Sequence, residues 1–136
     1  MSYDYETLLK RAQSQIPHVA SKKQRLEIPM LHMATIGMRT IIFNFRDVAN
    51  ALSRDPQHLL KFLSREMATA ATMQEGRAIF QGKFTRDTFG RLLTRYTESF
   101  VVCSICKSPD TKIVKEKRLS FVTCEACGAR SATKQL

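Results

Sequence analysis

Four cysteines, and no others, stand in the last third of this 136-residue chain: Cys103 and Cys106, then Cys124 and Cys127. Each pair has the form C-x-x-C, and seventeen residues separate the two pairs. Two residues between cysteines let one tight turn bring both thiolates to the same ion. Two such turns supply the tetrahedral sulfur set that a structural Zn2+ prefers. A rubredoxin-type iron takes the same four thiolates, so iron stays open beside zinc. Two disulfides would need an oxidising compartment, and the first residues do not read as a signal peptide. A thioredoxin-like redox pair would set one C-x-x-C beside a βαβ unit, not two around a hairpin. Four thiolates leave no position for a bound water, so the expected metal is structural, not catalytic.

The segment between the cysteine pairs must position them. Thr111, Ile113 and Lys115 alternate with Lys112 and Val114, and Leu119, Phe121 and Thr123 follow, with Glu116-Lys117-Arg118 as a turn. This pattern predicts a zinc ribbon over residues 100–136, a small antiparallel sheet clamped at one end by metal. About thirty residues bury too little apolar surface to fold alone, so the ion must hold them together.

The charge of the chain narrows its partners. The net charge is +10 and the isoelectric point about 9.9. Residues 103–136 carry 7 basic against 3 acidic side chains, and residues 28–102 carry 10 against 6. This bias favours a polyanion, nucleic acid before membrane, because no run reaches membrane-span length and no basic amphipathic helix with a broad apolar face stands out. The plainer alternative is a soluble surface with a basic bias.

Upstream of the ribbon, two units are expected. Residues 3–16 read as a short helix, capped by Asp4, favoured by Glu6 and stopped by Pro17. Tyr5, Leu8, Leu9, Ala12 and Ile16 form one apolar stripe on it. So short a helix is marginal alone in water and must dock, either on its own domain or on a partner. Residues 18–27 are polar, basic and aperiodic, like a linker. Residues 28–99 read as a central α–β domain, in the order ββααβα. A hairpin turns at Gly37-Met38, and Asn44 caps a helix carrying Phe45, Val48, Ala49 and Leu52. Asp55 and Pro56 start a second helix running to about Met73, with Leu59, Leu60, Leu63, Met67 and Ala70 buried. A strand run covers Arg77–Phe84. Thr85 or Asp87 caps the last helix, which bears Phe89, Leu92, Leu93 and Tyr96. The fold class is therefore α+β: an N-terminal helix, a central mixed domain with a small antiparallel sheet, and the four-cysteine ribbon. The N-terminal helix, central domain and ribbon are expected to move independently without partners.

The two helices around Arg54-Asp55-Pro56 also fit a helix-turn-helix, with Lys61 and Arg65 toward a phosphate backbone. No Asn, Gln or Arg cluster opens the second helix to read bases, which favours a solvated face on a core helix. Catalysis finds little support. No phosphate-binding glycine loop and no H-E-x-x-H occurs. His18, His32 and His58 are scattered, and the metal uses every thiol.

The order of several segments carries a resemblance. Thr40-Ile41-Ile42 precedes Asn44-Phe45; then come Arg54-Asp55-Pro56-Gln57-His58-Leu59-Leu60-Lys61 and Gln81-Gly82-Lys83-Phe84. Asp110-Thr111 precedes the ribbon strands, and Cys124-Glu125-Ala126-Cys127-Gly128-Ala129 closes them. Over essentially its whole length the chain resembles the beta subunits of archaeal translation initiation factor 2. The resemblance implies a non-enzymatic, cytoplasmic subunit of a heterotrimer. In it the gamma subunit is the GTPase, the alpha subunit joins through gamma, and the complex carries methionylated initiator tRNA to the small ribosomal subunit. It implies Tyr5, Leu8, Leu9 and Ala12 as anchors on gamma, and Cys103, Cys106, Cys124 and Cys127 as zinc ligands. Lys112, Lys115, Lys117 and Arg118 are the candidate contacts to RNA phosphates, without sequence readout. No membrane and no small-molecule substrate is expected. The lysine blocks of eukaryotic relatives are absent, so functions carried by them do not transfer. Two rivals are a DNA-binding transcription factor and the N-terminal part of translation initiation factor 5. A full-length factor of the latter kind is expected to need a further C-terminal domain beyond Leu136.

Overall fold

Asp55 and Pro56 set the sharpest boundary in the chain. In the computed structural model, which describes residues 3–15 and 26–136, the Asp55 carboxylate accepts from the Gln57 N–H at 3.0 Å and Pro56 occupies the first helical turn. There its missing N–H costs no hydrogen bond. The elements in order are α1 (Tyr5–Gln15), β1 (Met33–Ile36), β2 (Arg39–Ile42), α2 (Phe45–Ala51), α3 (Pro56–Glu66), β3 (Ala71–Gln74), β4 (Arg77–Gln81) and α4 (Arg86–Tyr96). A π-helical turn (Thr97–Val101) then leads to β5 (Thr111–Glu116), β6 (Leu119–Cys124) and β7 (Arg130–Thr133). The chain is α+β, with two small antiparallel sheets ordered β1-β2-β4-β3 and β5-β6-β7.

One core joins the first sheet to α2, α3 and α4. Ile42, Phe45, Val48, Leu59, Leu63, Phe80, Phe89 and Tyr96 are all fully buried in it. Each such side chain contributes about 1.5–3 kcal/mol relative to exposure. Phe100 and Val101 belong to the same core, and Leu26, Ile113 and Leu136 pack against it. Thr85 is the cap of α4, accepting from the Thr88 N–H.

Three local expectations are corrected. The second helix stops at Glu66 rather than near Met73, and Ala70 is exposed. Residues 71–74 pair instead with β4, and Glu75-Gly76 makes the turn between them, with φ of 49° and 78°. Two consecutive positive φ values match a type I′ hairpin, whose twist suits the paired strands. Asn44 does not cap α2 with its side chain. Its Oδ1 accepts from the His32 N–H at 2.9 Å and its Nδ2 donates to the Met30 carbonyl at 2.8 Å, which anchors the segment ahead of β1. The ribbon also has a third strand, β7, that alternation between the cysteines did not reveal.

The N-terminal helix stands apart from this core. No residue of α1 is buried, and Tyr5, Leu8 and Leu9 are 74%, 42% and 41% exposed. Ile16, Pro17 and residues 18–25 of the expected linker lie outside the described residues.

Candidate metal centre and cationic cleft

The four cysteines converge as their spacing requires. Their sulfurs all lie within 4.8 Å of one another, with Cys103 Sγ to Cys127 Sγ at 3.6 Å and Cys106 Sγ to Cys124 Sγ at 3.5 Å. A tetrahedron with metal–sulfur bonds of about 2.3 Å has edges of about 3.8 Å, so the set fits one ion. All four are free thiols rather than disulfides.

Both turns are built alike. Cys103 donates its N–H to the Ser108 carbonyl at 2.9 Å, and Cys124 donates to Ala129 at 2.8 Å. The residue after each second cysteine, Lys107 or Gly128, has φ of 58° or 73° and donates back to the first cysteine's carbonyl at 3.1 Å. This curls backbone N–H groups onto sulfur. The N–H groups of Cys106 and Ile105 pull the Cys103 thiol down to about 6, and the Cys127 N–H lowers Cys124. Cys106 moves the other way, up to about 12: the Ser108 N–H lowers it, but desolvation and the neighbouring thiols outweigh that. Four thiols this close cannot all ionise side by side, and a bound cation removes the conflict.

The ribbon is tied to the core through Arg54, which sequence reading treated only as punctuation. Arg54 is 7% exposed. Its guanidinium donates to the Thr111 carbonyl at 2.8 Å, the Phe100 carbonyl at 2.8 Å and Thr111 Oγ1 at 2.5 Å. Thr111 Oγ1 in turn donates to the Val101 carbonyl. Phe100 and Val101 lie in the π-helical turn, where Val102 N–H reaches five residues back to Thr97 at 2.8 Å. One planar fork thus joins the turn after α2, the exit of α4 and the first residue of β5. Burial lowers the guanidinium pKa, yet arginine stays charged. A buried arginine cannot be told from a surface one by local pattern, and only the resembling segments that begin at Arg54 and hold Asp110-Thr111 hinted at it.

Beside this clamp lies a cleft of about 710 Å³ between α3 and the ribbon hairpin. Gln57, Lys61, Lys112, Lys115, Lys117 and Arg118 line it. The four ribbon cations named from sequence are therefore brought together, and Lys61 joins them from the other wall. Lys112 also pairs with Glu125 at 2.5 Å, both side chains being largely exposed, a contact worth little by itself. Arg65, the other helix-turn-helix candidate, donates to the Gln135 carbonyl at 3.0 Å. Arg65 thus reaches the C-terminal segment, while Lys61 faces the cleft.

His58 sits at the back of this cleft. A 2.8 Å hydrogen bond joins its Nδ1 to the Tyr96 hydroxyl, and its ring meets Phe100 edge-on. Burial lowers its pKa, Arg54, Lys115 and Lys61 lower it further, and Asp55 opposes them. Burial raises the Tyr96 pKa, so the phenol stays neutral. A native pKa below the unfolded value of about 6.5 means that stability is intact above that pH and falls as pH drops below it. Urea midpoints measured from neutral pH down past that point should fall, and His58→Asn should flatten the decline. Identical slopes for the two proteins would exonerate His58.

An α+β core with an appended four-thiolate ribbon defines the class of this protein. The family model for a domain found in initiation factors 2B and 5 matches residues 17–130. The translation initiation factor 2 subunit beta of Methanosphaera stadtmanae is 43% identical over 98% of this chain and 94% of its own length. The same-named protein of Methanococcus vannielii is 43% identical over 98% of this chain and 97% of its own. The chain belongs to the translation initiation factor 2 beta-subunit family, and its role lies in translation initiation. No helix among the described residues is long and apolar enough to cross a membrane.

Proposed function

We propose that the chain is the beta subunit of a heterotrimeric translation initiation factor 2 that delivers methionylated initiator tRNA to the small ribosomal subunit in the cytoplasm. GTP is bound by the gamma subunit, the alpha subunit joins through gamma, and this chain catalyses nothing. Tyr5, Leu8, Leu9 and Ala12 of α1 seat on gamma. Cys103, Cys106, Cys124 and Cys127 hold one structural Zn2+. The cations Lys112, Lys115, Lys117 and Arg118 meet RNA phosphates.

The observation that carries this reading is the bare apolar stripe of α1. A helix of 11 residues that buries nothing on its own domain needs a partner's surface to be stable. Titrating the gamma subunit with the full chain and with residues 21–136 tests it. Binding by the full chain that is lost on truncation is expected. Binding that survives truncation would keep the partner and move the interface off Tyr5, Leu8 and Leu9. No binding by either form would sink the reading.

The family description also names initiation factor 5, which favours a second reading as a factor that stimulates GTP hydrolysis. A GTPase assay on the same gamma subunit, with and without the chain, separates the two.

A further inference from the structure

We infer that the cleft between α3 and the ribbon hairpin grips one continuous stretch of single-stranded RNA backbone from both walls, with Lys61 supplying the grip from the central domain. The inference rests on the translation-initiation reading for the kind of polyanion and on the cleft itself for the place. Lys61 on α3 faces the same space as Lys115, Lys117 and Arg118 on the hairpin. Among the described residues none of these four makes an ion pair. The one acidic lining residue, Asp55, uses its carboxylate to cap α3. Uncompensated cations on two walls of a concavity reinforce one another's potential, more than the same charges on a flat face.

The shape and lining select the ligand. A single phosphate would engage one wall; cations on both walls suit successive phosphates of one strand. The volume is that of a pocket for a small ligand, enough for a short single strand and too small for a duplex. Ile113, Leu119 and Leu136 offer apolar contact, but the lining includes no Phe, Tyr or Trp for base stacking, and the ring of His58 is engaged by Tyr96 and Phe100. Contact is therefore to backbone and sugar, without base readout. An acidic peptide is disfavoured because peptide binding leans on a buried side-chain anchor, and the apolar lining is confined to Ile113, Leu119 and Leu136. Arg54 holds the walls at a fixed separation, so the site is preformed.

The test uses the full chain and a short fluorescein-labelled oligouridylate, followed by anisotropy across a salt series. Lys61→Glu should weaken binding about tenfold and reduce the salt slope by about 0.7, the loss of one single-strand phosphate contact. Lys115→Glu should do the same. Arg91→Glu, on α4 outside the cleft, carries the same charge change and should shift binding less than twofold. Thermal midpoints and gamma binding should be unchanged in all three, since Lys61, Lys115 and Arg91 are exposed. Equal weakening by Lys61→Glu and Arg91→Glu would overturn the site as a mere net-charge effect. Tighter binding of an oligoglutamate of matched charge would overturn RNA as the occupant. Unchanged RNA binding by Lys61→Glu with gamma binding intact would remove the cleft and leave the subunit reading standing.

Discussion

Chelating the metal, or replacing Cys103 by Ser, will unfold the ribbon and leave the central core folded. The ribbon's own apolar burial is small: of its strand residues, Val122 and Cys124 are buried hydrophobics, while Val114 and Leu119 are 39% and 60% exposed. Structural zinc sites contribute about 10–16 kcal/mol at neutral pH, far more than this sheet holds without one. Amide hydrogen exchange should therefore lose protection across residues 103–136, while Phe45, Leu59, Phe80 and Phe89 keep the core closed. Elemental analysis of the purified chain should return about one zinc per molecule; a coloured, redox-active preparation would mean iron. Ribbon protection that survives chelation would sink the metal-clamped reading. Core stability should drop somewhat even when the core stays folded, because Arg54 then loses its acceptors on Thr111.

Replacing Arg54 by Met should cost about 2–4 kcal/mol and release the ribbon from the core. Hydrogen bonds to a charged group are worth about 1.5–3 kcal/mol each, and the truncation strands the buried carbonyls of Phe100 and Thr111. The cost is held down because the guanidinium no longer has to be desolvated, and its Nε makes no hydrogen bond in the native state. Arg54→Lys keeps the charge but loses the planar fork, so it should fall in between. Urea unfolding gives the stability change. Residual dipolar couplings, measured on ribbon and core amides, read the coupling: one alignment tensor should fit both in the native chain and fail in Arg54→Met. A native chain that already needs two tensors would mean that Arg54 is no clamp and would bear out the expectation of independently moving units. The variant should also weaken RNA binding in the cleft without touching any of its exposed lysines.

Much of the four-cysteine cluster was legible before the fold, because the geometry of each pair is local. C-x-x-C closes in one turn, and the same backbone hydrogen bonds recur at Cys103 and Cys124. The helix starts at Asp55-Pro56 and Thr85 were legible for the same reason, since a cap satisfies N–H groups two or three residues away. The apolar stripe of α1 followed from period alone. That it stays uncovered did not, because a stripe reads the same whether its partner is in the chain or outside it.

Other features had no local signature. Residues 67–70 continue a helical apolar pattern through Met67 and Ala70, yet the helix stops and residues 71–74 become β3, because β4 offers a strand to pair with and Glu75-Gly76 supplies the turn. Arg54 reads as a surface charge until Phe100 and Thr111, 46 and 57 residues away, bring their oxygens to it. The cationic cleft likewise joins Gln57 and Lys61 to residues 112–118, which no periodicity links. Short-range bonding, then, was encoded in residue spacing: where cysteine sulfurs gather and where helices begin. Which charge is buried, which strand is added and which lysines face one another depended on long-range closure, because those energies exist only once distant backbone is already in place.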